Sequence, residues 1–257
     1  MSLITAYLYA GILAETAVLA ILFQRGIVRL LPVFGIYVAW STITDITFIL
    51  LSQRSPNLYS KLFMVEMSLD ALLQFGVLVE LAWSVLRPFR ALLPKGYLIA
   101  IAALILFAGG VIWPIAGMTV MPGLGPHSHR MIQLQQTFSA LRIISFLTLA
   151  AFSRLLSIGW GNRELQVASG LGFYSLVSLG TAIIQSHLSS LAQYQMLDRV
   201  VSISYLCSLL YWAVSFLQKE APRQEFSPRM RSILLTVSGA ARANRMAIEE
   251  IAKTPKP

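Results

Sequence analysis

One cysteine and three histidines in 257 residues leave little material for a disulfide framework, a zinc cluster or a haem-binding bundle. Charge is equally scarce. Asp, Glu, Lys and Arg make up 12% of the chain, against about a quarter in soluble domains. No catalytic triad and no phosphate-cradling glycine loop is present, and the apolar stretch Val200–Leu217 lacks the lysine that a retinal Schiff base would need. These absences argue against an enzyme and against a bound cofactor. The single cysteine, Cys207, sits among Leu206, Ser208 and Leu209 and reads as a small buried apolar residue.

Apolar surface is what the chain has in excess, with 56% hydrophobic residues and a mean hydropathy of +0.70. A helix needs roughly 20 mostly apolar residues to cross a hydrocarbon layer about 30 Å thick. Seven stretches meet that length: Leu3–Phe23, Leu30–Leu51, Leu62–Leu86, Tyr97–Gly117, Met131–Leu156, Leu165–His187 and Val200–Leu217. Their short connections leave no room for a folded domain between them. The expectation is an all-α seven-transmembrane bundle over residues 1–218, followed by a basic tail over residues 219–257. The fourth stretch is almost purely aliphatic and is expected to face lipid, kinked or ended near Trp113-Pro114. The sixth, with Ala168, Gly172, Ser175, Ser178 and Gly180, is expected to be central. Aromatic residues near stretch ends, Trp83, Tyr97 and Trp212 among them, suit the membrane interface.

Charge order gives an orientation. The connections after the first, third and fifth stretches, with the tail, hold fifteen of the basic residues, including Arg25, Arg29, Arg87 and Arg163. The opposite side holds four, Arg54, Lys61, Arg130 and Arg199. Positive-inside bias then puts the amino terminus outside and the tail in the cytoplasm of a cell inner (plasma) membrane. The net charge of +9 needs no nucleic acid partner, because most of the excess would meet anionic inner-leaflet lipid. In the tail, Ser227-Pro228 marks a helix start, and Ile233, Leu234, Val237 and Ile248 recur at helical spacing. Such a basic amphipathic helix is expected to lie on anionic lipid or dock a cytoplasmic protein.

Ionisable residues inside membrane segments are the strongest functional signal, since each costs about 2.5 kcal/mol or more at mid-depth unless paired or hydrated. Glu15, Asp45, Glu66, Asp70, Glu80 and Arg142 fall inside the stretches. Glu66, Asp70, Gln74 and Glu80 share one side of the third helix, so that side should face the bundle interior. Asp45, flanked by Ser41, Thr42 and Thr44 as hydrogen-bonding neighbours, lies at a depth similar to Asp70 and Arg142. The expected site is an outward-facing ligand or ion pocket of Asp45, Asp70, Arg142, Glu66, Gln74 and Glu15, with Arg142 paired to Asp70. Glu66 and Glu80 are expected to be hydrated near opposite faces, and Glu15 has no evident partner. His127 and His129, joined by His187 and Asp198, are the one arrangement that suggests a divalent metal. Loop histidines without a third fixed ligand are usually solvated, so no metal is assigned.

Arg25 and Arg29 after the first stretch, Pro32-Val33-Phe34 opening the second and Glu80 ahead of Arg87-Pro88 resemble uncharacterised bacterial seven-helix integral membrane proteins over residues 10–95. The resemblance implies the fold and carries no activity. Three functions fit: a sensor or signal-coupling protein with an outward-facing polar pocket, a small transporter or channel using the same carboxylates, or an accessory subunit of a membrane complex. A transporter requires carboxylates continuing toward the inner face, for which Glu15 and Glu80 are the candidates, whereas a receptor requires that end to be closed.

Overall fold

The structure, a computed structural model, describes residues 3–51, 56–87, 96–118, 126–152, 161–186, 191–218 and 236. The amphipathic tail expected beyond residue 218 lies outside the described residues, Thr236 aside. The described residues form seven α-helices: α1 (Leu3–Gln24), α2 (Pro32–Leu51), α3 (Pro56–Leu86), α4 (Tyr97–Met118), α5 (Pro126–Phe152), α6 (Arg163–Gln185) and α7 (Leu191–Leu217). A short 3-10 turn, Ile27–Arg29, joins α1 to α2. Gly26 enters it with φ 66°, a left-handed conformation that closes a helix at little cost only for glycine.

Five of the helices are long and apolar enough to cross a membrane: Pro32–Leu50, Val65–Leu86, Tyr97–Met118, Arg163–Gln185 and Gln195–Leu217. α1 adds a shorter apolar stretch, Tyr9–Gln24. α5 falls short because glutamines at 133, 135 and 136 and Arg142 interrupt its apolar run. Most of those polar groups are turned inward, since Gln133, Gln136, Thr137, Ser139 and Arg142 are buried while Gln135 is exposed. α5 is therefore an inner helix whose polar stripe faces its neighbours.

Each helix packs on the next, and α1 closes on α7. α3 also reaches α5 and α6, so α1, α2, α3, α5, α6 and α7 form a ring with α4 laid against its outside. Ala116 is the one buried residue among the described positions of α4, as its aliphatic composition leads one to expect, although the helix runs through Pro114 to Met118 rather than ending there. α6 is central. Its Gly170 lies so close to α7 that an added Cβ would stand 2.3 Å from the Trp212 indole nitrogen, whereas Gly180, expected to be a contact point, has open space around it.

Chain direction alternates, so the ring has two ends. One, here the arginine end, gathers Arg25, the start of α2, the end of α3, the start of α6 and the end of α7. The main apolar core sits toward it: Leu22, Leu31, Phe34, Leu81, Val167, Leu209, Trp212 and Phe216 are among its members. Phe34 meets Trp212 edge-on at 5.0 Å between ring centroids and Phe216 at 6.2 Å, the arrangement aromatic quadrupoles favour. Trp212 is thus a core residue and not the interface anchor its position near a helix end suggested. Cys207, expected inside, is exposed, because it lies on the outward side of α7 away from that core.

Candidate functional site

The polar residues singled out from the sequence do not converge on one pocket. They separate into a sealed layer at mid-depth and two cavities toward the other end of the ring, here the carboxylate end.

Glu15 is 0% exposed. Its Oε1 accepts a hydrogen bond from Ser41 Oγ at 2.7 Å and another from the Tyr205 hydroxyl. Its Oε2 has no hydrogen-bond partner among the described residues. The sequence offered no partner because both lie on other helices. Thr42 and Thr44, expected with Ser41 as hydrogen-bonding neighbours of Asp45, instead donate their hydroxyls to backbone carbonyls one turn back, at Val38 and Trp40. Threonine in a helix commonly satisfies itself this way, which leaves it unavailable to a side chain on the next turn.

Arg142 is 3% exposed and does not form the expected ion pair with Asp70. Its Nη2 donates to Ser139 on its own helix at 3.1 Å, and its guanidinium lies 5.5 Å from the Tyr174 ring centroid. Nε and Nη1 have no hydrogen-bond partner among the described residues. Asp70 is held by Gln74 Nε2 at 2.5 Å and senses Arg142 only through the longer-range field. Tyr174 packs edge-on against Tyr205 at 5.4 Å. Across the bundle middle there is thus a continuous layer: Arg142, Tyr174, Tyr205, Glu15 and Ser41, from five different helices.

Glu66, Asp70 and Gln74 line a cavity of about 190 Å³ between α3 and α5, closed on the α5 side by Met131, Leu134, Gln135 and Phe138. The inward polar side of α3 is therefore present, with Glu66, Asp70 and Gln74 on one hollow. Asp45 opens elsewhere. It lines a cavity of about 390 Å³ between α1, α2 and α7, with Tyr7, Gly11, Gln195, Asp198, Arg199, Ser202, Tyr205 and Leu206. Asp198 there accepts a hydrogen bond from Gln185 Nε2 at 2.9 Å. Sequence reasoning placed Asp198 and Arg199 outside the last span because apolar counting starts that span at Val200, yet α7 begins nine residues earlier. The segment Leu191–Arg199 contains no glycine or proline, and its polar residues continue the helix. The missed signal was periodic: Gln195, Asp198, Arg199, Ser202, Tyr205 and Leu206 recur every three or four residues and share one face.

At the arginine end the charged groups are held by backbone. Val33 N–H donates to Glu80 Oε1 at 2.7 Å and Phe34 N–H to Oε2 at 2.8 Å. Glu80 caps the amino terminus of α2 from across the bundle, where free amides and the helix dipole favour a carboxylate. It is 8% exposed and not hydrated as expected. Arg163, counted among the flanking basic charges, is also buried. It donates to the Ser215 carbonyl at 2.8 Å and the Gln218 carbonyl at 2.7 Å, and Arg25 donates to the Leu217 carbonyl at 2.8 Å. Two arginines thus satisfy the carboxyl-terminal carbonyls of α7. Val33, Phe34 and Glu80, far apart in the chain, thus form one contact.

Among the described residues no group of three or more His, Cys, Asp or Glu could hold a metal ion, while the side chains of His127 and His187 lie outside the described residues. Comparison with family models, with curated proteins and with solved structures returns no match.

Proposed function

We propose that the chain is a sensor or signal-coupling protein of an inner membrane, spanning it seven times, with the amino terminus outside and the tail in the cytoplasm. Five helices qualify as spans by length and apolarity. α1 and α5 complete the count in this reading, because they stand in the same ring and bury Glu15, Gln133, Gln136 and Arg142 within it. The orientation rests on the uneven distribution of basic residues. The arginine end then faces the cytoplasm, and the carboxylate end, with its two cavities, faces outward. The tail would meet anionic lipid or a cytoplasmic protein and relay the state of the bundle.

One observation carries the choice of sensor over transporter. Both oxygens of Glu80 accept backbone amides, and Glu15 is wholly enclosed, so neither offers an ion a next step toward the arginine end. Around Glu80, and between it and Glu15, lies the aromatic and aliphatic core. A cavity that stops at a hydrogen-bonded layer can register a ligand without passing it.

The test uses thiol labelling of the full chain in sealed vesicles of known orientation, in a Cys207→Ser background. Ser202→Cys, in the larger cavity, should react with a membrane-impermeant thiol reagent added outside and stay unreactive to reagent confined inside. Reaction from both sides would mean a path through the bundle and would replace the sensor with a transporter.

A further inference from the structure

The larger cavity contains two opposite charges that do not neutralise each other. Asp45 and Arg199 both line it. Neither makes a hydrogen bond or an ion pair with any described residue. The other acid on the wall, Asp198, is engaged by Gln185. A lone charge within a membrane segment is expensive and marks a functional site more often than a structural one. Here an acid and a base without a hydrogen-bonding or ionic partner among the described residues, half-buried Asp45 and exposed Arg199, share one hollow of about 390 Å³, within the size range of small-molecule sites.

We infer that this cavity binds a small zwitterion, a molecule bearing an ammonium group and a carboxylate, with the ammonium on Asp45 and the carboxylate on Arg199. The charges select the class. A simple cation would satisfy Asp45 while adding repulsion to Arg199, and a simple anion would do the reverse. A zwitterion satisfies both, and the guanidinium can receive a carboxylate through two parallel hydrogen bonds. The remaining wall suits such a ligand. Tyr7 and Tyr205 supply aromatic wall, and Ser202 and Gln195 supply neutral hydrogen-bonding groups.

The position of Tyr205 links occupancy to the rest of the bundle, and in this the inference rests on the sensor reading. Tyr205 lines the cavity and donates its hydroxyl to buried Glu15, with Ser41 Oγ 3.2 Å from that hydroxyl. Its ring packs on Tyr174, beside Arg142. A ligand that shifts Tyr205 disturbs a layer contributed by five helices.

The experiment is protection of Ser202→Cys from labelling in the vesicles described above, using alanine, γ-aminobutyrate and glycine betaine as zwitterions of increasing span or bulk. Tetramethylammonium chloride and sodium acetate are the single-charge controls. At ten times its dissociation constant a bound zwitterion should slow labelling about tenfold, and neither control should do so at equal concentration. Asp45→Asn and Arg199→Gln, each placed in the Ser202→Cys background, should abolish the protection while the protein still inserts. A second readout, the rise in unfolding temperature of Ser202-intact protein with the same probes, guards against an effect of the cysteine itself. No slowing and no stabilisation by any of the three zwitterions would overturn the inference, as would equal protection by tetramethylammonium or acetate alone, or protection that survives both substitutions. If Ser202→Cys reacts from one side only and no zwitterion protects it, the sensor reading stands and the ligand class fails; reaction from both sides removes the sensor reading whatever binds.

Discussion

The two ends of the ring handle charge in opposite ways. At the arginine end, buried Glu80 and Arg163 and exposed Arg25 each address backbone groups that helix termini leave free, and Phe34, Trp212 and Phe216 pack beside them. At the carboxylate end, Asp45 and Arg199 line a hollow and have no partner among the described residues. Lipid tails are as apolar as leucine, so burial of apolar surface does little to hold such helices together, and polar satisfaction and close packing take over. In the function proposed above, one end serves stability and the other binding. A charged residue is not in itself a functional signal; what matters is whether the fold has already used it.

The contrast can be broken from the arginine end first. Glu80→Ala leaves two amides of α2, one buried and one half-buried, without an acceptor and is expected to cost about 3 kcal/mol, measured by unfolding of the purified protein in detergent. Glu80→Gln, which keeps one acceptor oxygen, should recover part of the loss. Arg163→Ala should cost less, about 2 kcal/mol, because carbonyls tolerate a missing partner better than amides do and Arg25 still serves the same helix end. The same unfolding measurement should show Arg163→Lys falling between wild type and alanine. Gly170→Ala forces Trp212 away from α6, and overpacking of this kind is expected to cost about 1 to 2 kcal/mol. A thermal shift together with loss of the native tryptophan emission would report it. At the carboxylate end, Asp45→Asn and Arg199→Gln should change stability by less than about 0.5 kcal/mol, because no described residue depends on them. A loss there comparable to that of Glu80→Ala would mean the two ends are not built differently.

Much of the helical architecture was legible, because a helix in lipid must satisfy its own backbone and the required apolar length is therefore written in the chain. α4 illustrates this, with its limits and its peripheral place both following from composition. What could not be read is which groups meet across the ring. Glu80 and Val33 are 47 residues apart, and Tyr205 and Glu15 are 190 apart. Depth arguments put Asp70 and Arg142 at one level but could not say that the arginine would turn to Ser139 and Tyr174. Apolar counting also cut α7 short and so removed Arg199 from the site. The seven-residue run from Gln193 to Arg199 looked like a loop only because it is polar, and helical spacing was the better guide.

Hydrogen–deuterium exchange of the full chain in lipid nanodiscs compares the two ends most directly, since it reads water access and local opening segment by segment. The account predicts strong protection in residues 33–38, 163–172 and 209–216 around the Glu80 and Arg163 contacts, and much faster exchange in residues 195–202 beside the Asp45 cavity. Equal protection at both ends, or faster exchange around Glu80 and Arg163 than around Asp45, would contradict a bundle that is sealed at one end and open at the other.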